Sequence, residues 1–373
     1  MTIAISLKVN EGVVLAADSA STLFTQVSGN TLAVVNVYNN ADKVFNLIKG
    51  RPVGTVTWGA GSIGMTSIAT LMKDLRRRLT GDDLLHRESW KIDPDSYTIL
   101  DVAQKVRQFM YEEHYLAASQ SGSPNHPLGF VVAGYSTNQD MAEEYQIDIS
   151  DGSCNAPRSL RGIQESGIVW NGQGEAIHRL IVGFGGSMSQ VLQNNLGVPI
   201  EQLEPTLNIL RQTLTYPLIA PAMPIQDAID LAEFLVDLTI KFSHFAPGAS
   251  TVGGPIEIAA ITKHEHFKWI RRKYYYNREL NPEERETMDQ YIGGTVNVGN
   301  AIYPSILQGQ DAPYNFQPLL VPAGQGPFLQ LRIGPLVQPN TAVPNEEAAD
   351  TRRRLSSFEE DWNAPGMNLY DAL

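Results

Sequence analysis

Thr2 is the residue whose type and position could do chemistry, because loss of the initiator Met1 would leave it at the N-terminus. Its side chain is small, which suits removal of the initiator methionine. A threonine hydroxyl is a weak nucleophile until a base takes its proton, and an N-terminal residue carries a base in its own α-amine. That amine has a pKa of roughly 7.7–8.0 and is mostly protonated at neutral pH unless a cation or burial lowers its pKa. The chemistry available is therefore attack on an amide carbonyl.

Three other residues would complete this chemistry. Lys43 would lower the pKa of the amine if its ammonium pointed at Thr2. Asp18 would keep Lys43 charged and oriented, since a carboxylate within about 4–6 Å favours the ammonium. The backbone N–H of Gly59 would donate to the oxyanion, and loss of one such donor costs roughly 10²–10³ in kcat in other enzymes. A retained Met1 would convert the amine to an amide and leave Thr2 inert.

The elements that would position these residues are strands first and helices later. Asn10-Glu11-Gly12 joins two runs of β-forming residues, at 3–9 and 12–18, and predicts a hairpin. Further strands are predicted over 31–37, 51–58, 128–135, 144–150, 167–170 and 255–262, and helices over 63–79, 97–116, 174–194 and 224–243. Strands that come in runs and helices that come in pairs favour an α+β fold, with antiparallel sheets and helices outside them.

Four strings near the N-terminus occur in an informative order. They are Thr2-Ile3-Ala4-Ile5, Ala16-Ala17-Asp18-Ser19, Asp42-Lys43-Val44-Phe45 and Val56-Thr57-Trp58-Gly59-Ala60-Gly61. Together they resemble the catalytic β-subunits of proteasomes and their bacterial relatives, which are N-terminal-nucleophile hydrolases. In that family a mature N-terminal threonine precedes a strand hairpin ending in Ala-x-Asp-Ser, and a Lys-Val/Ile-Phe string opens a later segment. The spacing from Thr2 to Asp18 matches the family, and the longer spacing to Lys43 places an insertion around residues 26–34.

The resemblance implies a fold, an activity and an assembly. The fold would be a four-layer αββα sandwich, with two antiparallel sheets between helical layers. The activity would be that of a threonine-type endopeptidase, in which Thr22 hydrogen-bonds substrate backbone and Ser21, with a residue near Val56 or Thr57, lines the side-chain pocket. The assembly would be a homo-oligomeric ring or stack that acts on peptides or unfolded proteins, with an ATP-dependent unfoldase as a partner. No cofactor is expected.

Two strings depart from the family's pattern. The family has Asp-x-x-Ser-Gly-Gly before the last strand, where this chain has Ala249-Ser250-Thr251-Val252-Gly253-Gly254, so the acid is absent and valine replaces serine. The family's Gly-Ser-Gly corresponds to Gly172-Gln173-Gly174, and a hydroxyl from Ser250 or Thr251 would have to act from a shifted position. Two alternatives therefore stay open. One is an inactive scaffold or assembly subunit, and the other is a transpeptidase or small-amide hydrolase that uses the same Thr2.

Two further strings suggest other chemistry. Gly59-Ala60-Gly61-Ser62-Ile63-Gly64 is a G-x-G-x-x-G string between a predicted strand and a predicted helix, which is the local context of a dinucleotide-binding turn. The acids that follow, Asp82 and Asp83, have no strand before them, so cofactor binding is a minority interpretation. His264-Glu265-His266 offers two imidazoles at the end of a strand without a further ligand at suitable spacing, and no metal site is expected.

The composition limits the remaining classes of function. The chain has 373 residues, a formal net charge of −12 and one cysteine, Cys154. The negative charge disfavours nucleic acid, which requires clustered Lys and Arg, and no apolar run approaches the roughly 18 residues of a membrane span. A single thiol fits a reducing cytosol, so we expect a cytoplasmic protein.

A change in composition divides the chain into two parts. We predict a hydrolase domain over residues 1–265 and a C-terminal extension over residues 266–373. Asn281-Pro282-Glu283-Glu284 predicts the start of a short helix in this extension. The Pro- and Gly-rich tail beyond it would either wrap a neighbouring subunit or lack order.

Overall fold

The computed structural model describes residues 2–28, 31–123 and 126–273 of the chain. Its strands are β1 (Ile3–Val9), β2 (Gly12–Ala17), β3 (Ser21–Ser28), β4 (Thr31–Tyr38), β5 (Val44–Asn46), β6 (Val53–Gly59), β7 (Ser62–Ile63), β8 (Thr66–Ser67), β9 (Leu128–Gly134), β10 (Glu143–Ser150), β11 (Ser153–Cys154), β12 (Arg158–Ser159), β13 (Gly167–Gly172), β14 (Glu257–Thr262) and β15 (His266–Arg271). Its helices are α1 (Ile68–Thr80), α2 (Arg87–Trp90), α3 (Ile99–Arg107), α4 (Leu116–Gln120), α5 (Glu175–Ile177), α6 (Met188–Gln190), α7 (Ile200–Leu214) and α8 (Ile225–Phe245), with π-helical turns at Gln108–Tyr115, His178–Val182 and Val191–Asn195. Every pairing between described strands is antiparallel, which confirms the predicted combination of antiparallel sheets and helices.

The first sheet has the strand order β13-β1-β2-β14-β15, so the N-terminal strand lies in its interior. The β1–β2 hairpin pairs Val9 with Gly12 at its turn and Ala4 with Ala17 at its open end. Both strands are buried along their whole length, as their almost continuous apolar sequence predicts. The predicted hairpin is confirmed, and Thr2 enters the fold directly before an interior strand.

The second sheet has the order β11-β10-β9-β6-β5, with β12 paired to β10. A cluster of buried side chains lies between the two sheets and includes Leu15 and Ala259 from the first sheet and Val56 and Val131 from the second. A further cluster packs the first sheet against α8, and another packs the second sheet against α1 and α3. Each of the two sheets therefore packs against at least one helix.

Helix α7 is not among the helices predicted from the sequence. Pro199 precedes the helix and Pro205 lies inside it, and an interior proline usually ends or kinks a helix. The helix predicted over 174–194 is instead divided into short segments. One division falls at Gly183, where φ is +87° and a Cβ would lie 2.9 Å from the Cβ of Leu214.

Two strands of the structure, β3 and β15, were not predicted from the sequence. Strand β3 pairs with β4 in a hairpin that is separate from the two main sheets. The insertion predicted around residues 26–34 falls in this hairpin, and residues 29 and 30 lie outside the described residues. Strand β15 adds an edge to the first sheet. The domain boundary after residue 265 stays a prediction, and the helix start predicted at 281–284 lies outside the described residues.

The topology argues against the dinucleotide interpretation of the glycine string. A dinucleotide-binding turn connects a strand directly to a helix within a parallel sheet. Here Gly59 ends β6, the small β7–β8 hairpin follows, and α1 begins only at Ile68. Strand β6 is antiparallel to both of its neighbours, β5 and β9.

In the part of the chain that is described, no helix combines the length and apolar character that a bilayer crossing requires.

Candidate active site

Asp18, the first residue after β2, is the centre of the candidate site. Its residue surface is 0% exposed. Its Oδ1 atom accepts hydrogen bonds from Lys43 Nζ at 2.6 Å and from the backbone N–H of Ile3 at 3.0 Å. Its Oδ2 atom accepts the backbone N–H groups of Ala20 and Gly253, each at 3.0 Å. The carboxylate is therefore both paired and hydrogen-bonded, as a buried charge must be.

The β1–β2 hairpin places Asp18 beside the N-terminus. Because Ala4 pairs with Ala17, the next residues outward, Ile3 and Asp18, meet at the open end of the hairpin. The backbone N–H of Asp18 donates to the Ile3 carbonyl at 3.3 Å, and the Ile3 N–H donates in return to the Asp18 carboxylate. The sequence separation between Thr2 and Asp18 therefore follows from the length of this hairpin.

Thr2 is buried, and neighbouring backbone holds its main chain. Only 4% of its surface is exposed. Its carbonyl accepts the backbone N–H of Gln173 at 2.7 Å. A Cβ on Gly172 would lie 1.8 Å from this carbonyl oxygen, and the φ of Gly172 is +93°. Glycine is therefore required at this position, and Gln173 contributes its backbone N–H to the site.

Lys43 lies in the loop before β5 and reaches Asp18 in a buried ion pair. The two side chains are 7% and 0% exposed. Burial lowers the pKa of Lys43, and the charge and hydrogen bond of Asp18 act in the opposite direction. Lys43 Nζ and the backbone N–H of Ile3 donate to the same atom, Oδ1 of Asp18. The carboxylate oxygen therefore bridges the ammonium and the peptide group that follows Thr2. The structure thus brings Lys43, Asp18 and the main chain of Thr2 together.

The backbone of Lys43 is held from two sides. Glu257 Oε2 accepts the N–H groups of Lys43 at 2.8 Å and Val44 at 3.3 Å. From the opposite side, Thr57 donates its N–H to the Lys43 carbonyl at 2.9 Å. Glu257 is 1% exposed and pairs in register with Ala17, next to Asp18. The sequence analysis misses Glu257, because a contact that spans 214 residues has no local signal.

Gly59, the candidate oxyanion donor, ends β6 with a φ of +89°. A Cβ at this position would lie 2.3 Å from the carbonyl oxygen of Pro127. Ser21 lies close to the same turn, since its Oγ would be 3.0 Å from a Cβ on Gly61. Thr22 follows Ser21 in β3 and is partly exposed. The two candidate substrate-binding residues therefore begin a strand beside the turn that follows Gly59.

The loop before β14 reaches the site through its backbone. Ser19 donates its N–H to the Gly253 carbonyl at 2.9 Å, and Gly253 donates its own N–H to Asp18. Ser250 Oγ donates to the Val252 carbonyl at 3.3 Å, and the Val252 side chain packs in the cluster beneath α8. The loop therefore supplies Asp18 with a backbone donor, while Ser250 closes a turn within the loop itself.

A cleft of about 460 Å³ opens beside this loop. It is lined mainly by side chains from the C-terminal end of α8, such as Phe245, and by Val252 and Gly253 of the loop. Gly253 connects the cleft to Asp18. The side chains near Val56 and Thr57 do not line this cleft: Val56 lies in the cluster between the sheets, and Thr57 Oγ1 donates to the Gly129 carbonyl at 2.9 Å.

Metal or thiol chemistry would use residues such as His266 and Cys154. Among the residues that the structure describes, no group of three or more His, Cys, Asp or Glu side chains is placed to hold a metal ion. His266 donates from Nδ1 to the Gly50 carbonyl at 2.7 Å. Cys154 is a buried thiol, and burial raises its pKa. A raised pKa disfavours the reactive thiolate.

Comparisons with known proteins found similar solved structures but no similar sequence. The Anbu (Gly-1) mutant from Hyphomicrobium sp. strain MC1 is 13% identical, and the alignment covers 80% of this chain and 100% of that chain with a TM-score of 0.39. A chain from the helical assembly of the Anbu complex of Pseudomonas aeruginosa is 13% identical, with 78% and 95% of the two chains covered and a TM-score of 0.40. No family model and no curated protein matches the sequence.

Proposed function

We propose that the chain is a threonine-type endopeptidase in which Thr2 is the nucleophile after removal of Met1. The observation that carries this proposal is the shared Oδ1 atom of Asp18, which joins the Lys43 ammonium to the peptide that follows Thr2. The proposal includes the four-layer αββα sandwich of N-terminal-nucleophile hydrolases, and the three core clusters support that arrangement.

The proposed reaction has two halves. Thr2 Oγ1 attacks the carbonyl carbon of the substrate amide, and the Thr2 α-amine accepts the hydroxyl proton. Lys43 lowers the pKa of this amine through its positive charge, and the Gly59 N–H donates to the oxygen on which negative charge develops. The C–N bond then breaks, the leaving amine takes the proton, and an ester to Thr2 remains. Water hydrolyses the ester with the α-amine as the base, and this chemistry requires no cofactor.

The substrate side of the proposal uses β3. Thr22 hydrogen-bonds the backbone of an extended peptide, and Ser21 contributes to the pocket for a side chain. The position of Ser21 beside Gly61 supports this assignment. A peptide that runs along the start of β3 would bring its carbonyl to the turn that follows Gly59.

The proposal also includes a homo-oligomer that acts on peptides or unfolded proteins, with an ATP-dependent unfoldase as a partner. The second comparison structure is a helical assembly of its own protein. In this chain, large apolar side chains are exposed on α7 and α8, the two long helices that pack against the first sheet. They are Ile200, Ile209, Leu214, Phe234, Phe242 and Phe245. A large exposed apolar patch often marks a protein–protein contact, and we propose that these side chains form one.

Intact-mass measurement with a threonine-directed electrophile, such as a β-lactone, tests the proposal. We expect a chain without Met1 that gains one adduct, and a Thr2→Ala variant that gains none. Thr213→Ala, at an exposed position of α7, is the matched control and should keep the adduct. Retained Met1, or an adduct that persists in Thr2→Ala, would contradict the proposal. Peptide products formed with added amine nucleophiles distinguish a transpeptidase from a hydrolase.

A non-catalytic assembly subunit is the second candidate, and the loop before β14 favours it. Position 249 is alanine where the resemblance calls for an acid, and Val252 stands in place of serine with its side chain in the core. Such a subunit would assemble without forming any adduct at Thr2. The mass measurement therefore separates the two candidates.

A further inference from the structure

Lys273, two residues after β15, has a buried ammonium that the proposed reaction does not use. Its side chain is 8% exposed. Its Nζ atom donates to Ser19 Oγ at 2.7 Å and to the Ala41 carbonyl at 2.6 Å. The same atom lies 3.5 Å from one carboxylate oxygen of Asp42 and 3.5 Å from Oε1 of Glu257. Lys273 therefore joins three separate chain segments.

Each of these segments continues directly into the candidate site. Ser19 follows Asp18, and Asp42 precedes Lys43. Glu257 holds the backbone of the Lys43 segment, because its Oε2 atom accepts the N–H groups of Lys43 and Val44. One ammonium thus contacts the neighbours of both members of the ion pair.

The charge of Glu257 depends on Lys273. Burial raises the pKa of Glu257, and Lys273 is the strongest of the groups that lower it. The charged groups that act on this carboxylate include Lys273, Lys43 and Asp42. The backbone N–H groups of Lys43 and Val44 donate to it, and Asp18 lies beside its register partner Ala17. Without Lys273, Glu257 would be a buried carboxylate whose salt-bridge partner is gone, and such a carboxylate tends to take up a proton.

We infer that Lys273 is a positioning residue, which keeps Glu257 ionised so that Glu257 holds the Lys43 segment against Asp18. A protonated Glu257 is a weaker acceptor for the Lys43 and Val44 N–H groups, since hydrogen bonds to a charged acceptor are roughly twice as strong. The Lys43 ammonium then loses its fixed position. The consequence for catalysis rests on the proposed function, whereas the link between Lys273 and Glu257 does not.

The catalytic arm compares Lys273→Met, Lys273→Arg and the control Lys268→Met, which removes the same charge from an exposed position of β15. The readout is the rate of β-lactone addition to Thr2 as a function of pH. We expect Lys273→Met to move the acid limb of this profile upward by about one pH unit, because the Lys43 ammonium loses its fixed position when Glu257 no longer holds its segment. Lys273→Arg should restore the wild-type midpoint, and Lys268→Met should not change it. A lower rate with an unchanged midpoint would overturn the inference.

The stability arm is independent of catalysis and uses urea unfolding of Lys273→Met, Glu257→Gln and the double variant. The ion pair contributes stability only when Glu257 is charged, so Lys273→Met should lose more stability at pH 8 than at pH 5. In the Glu257→Gln background, the Lys273→Met loss should shrink and lose this pH dependence. Additive effects at both pH values would overturn the inference. If wild-type Thr2 takes no adduct, the proposed function fails while this arm still decides the role of Lys273.

Discussion

The Nζ atom of Lys43 and the Oδ1 atom of Asp18 lie 2.6 Å apart, with side chains that are 7% and 0% exposed. Burying two charges costs hydration, and their mutual attraction compensates only when other hydrogen bonds satisfy the remaining lone pairs. The backbone N–H groups of Ile3, Ala20 and Gly253 do this for Asp18. The pair therefore fixes the position of the Lys43 ammonium close to the Ile3 N–H more than it adds net stability.

Asp18→Asn should destabilise the protein by about 3–5 kcal/mol, because it leaves the Lys43 ammonium buried without its partner. Urea unfolding measures this change. Lys241→Met is the matched control, since Lys241 pairs with Asp237 at the surface with side chains 69% and 41% exposed. Exposed pairs contribute at most about 1 kcal/mol. Similar losses of stability in the two variants would contradict the expectation that Asp18→Asn leaves the buried Lys43 ammonium without a compensating charge.

Gly172→Ala should reduce electrophile addition at Thr2 by about 100-fold, the usual effect of misplacing a reacting group by about 1 Å. The added Cβ would lie 1.8 Å from the Thr2 carbonyl oxygen, so the Thr2 main chain must move. Gly50→Ala is the control, because Gly50 has a φ of +73° and no neighbour within 4 Å of the added Cβ. It should cost about 1–2 kcal/mol of stability through its backbone alone and leave the rate unchanged. Equal rates in the two variants would show that Gly172 does not position Thr2.

Tyr135→Phe should remove part of the alkaline loss of stability. Burial raises the pKa of Tyr135 to about 12, and its hydroxyl donates to the Glu11 carbonyl at 3.2 Å. Between roughly pH 10 and 12 the folded state therefore binds more protons than the unfolded state, and stability falls as pH rises through this window. Unfolding by urea along this pH series should give a shallower fall in Tyr135→Phe. Tyr38→Phe, at an exposed site, should follow the wild type.

The parts of the site that are close in sequence could be predicted from local patterns, whereas the distant parts could not. The loop that contains Gly253 was indicated only by its likeness to a family string. The β1–β2 hairpin follows from two apolar runs and a turn, and that hairpin brings Asp18 to Ile3. Gly253, Glu257 and Lys273 reach the same site from more than two hundred residues away. Their contacts depend on the pairing of β14 with β2, which no local pattern specifies. Lys43 was predicted as a site residue because Lys43-Val44-Phe45 resembles a family string, and not because of any local structural propensity.

Helix α7, which was not predicted from the sequence, contains a residue that disfavours a helix. Pro205 removes a backbone N–H from the helix interior. The helix nevertheless continues from Ile200 to Leu214, and Leu207 is buried in the cluster that covers the first sheet. Tertiary packing therefore outweighs the local preference. Strand β3 pairs with β4 outside the two main sheets, and the sequence pattern did not predict it.

Phe245→Glu should weaken the proposed homo-oligomer. Phe245 lies at the end of α8 and is 82% exposed, and burying a charge in an apolar contact is costly. Light scattering coupled to size-exclusion chromatography measures the mass of the particle. Leu85→Glu is the control, because Leu85 is 90% exposed in the segment that follows α1. A particle whose mass is unchanged by Phe245→Glu would place the subunit contact on another surface.

The proposed mechanism requires the Lys43 ammonium to lower the pKa of the Thr2 α-amine, and the pH dependence of electrophile addition to Thr2 measures this pKa. In the wild type, we expect a chain without Met1 and a midpoint below the ordinary α-amine range of roughly 7.7–8.0. Lys43→Met should move the midpoint upward and slow the addition by at least about 100-fold. A wild-type midpoint within or above the ordinary range, or a profile that Lys43→Met leaves unchanged, would contradict the account.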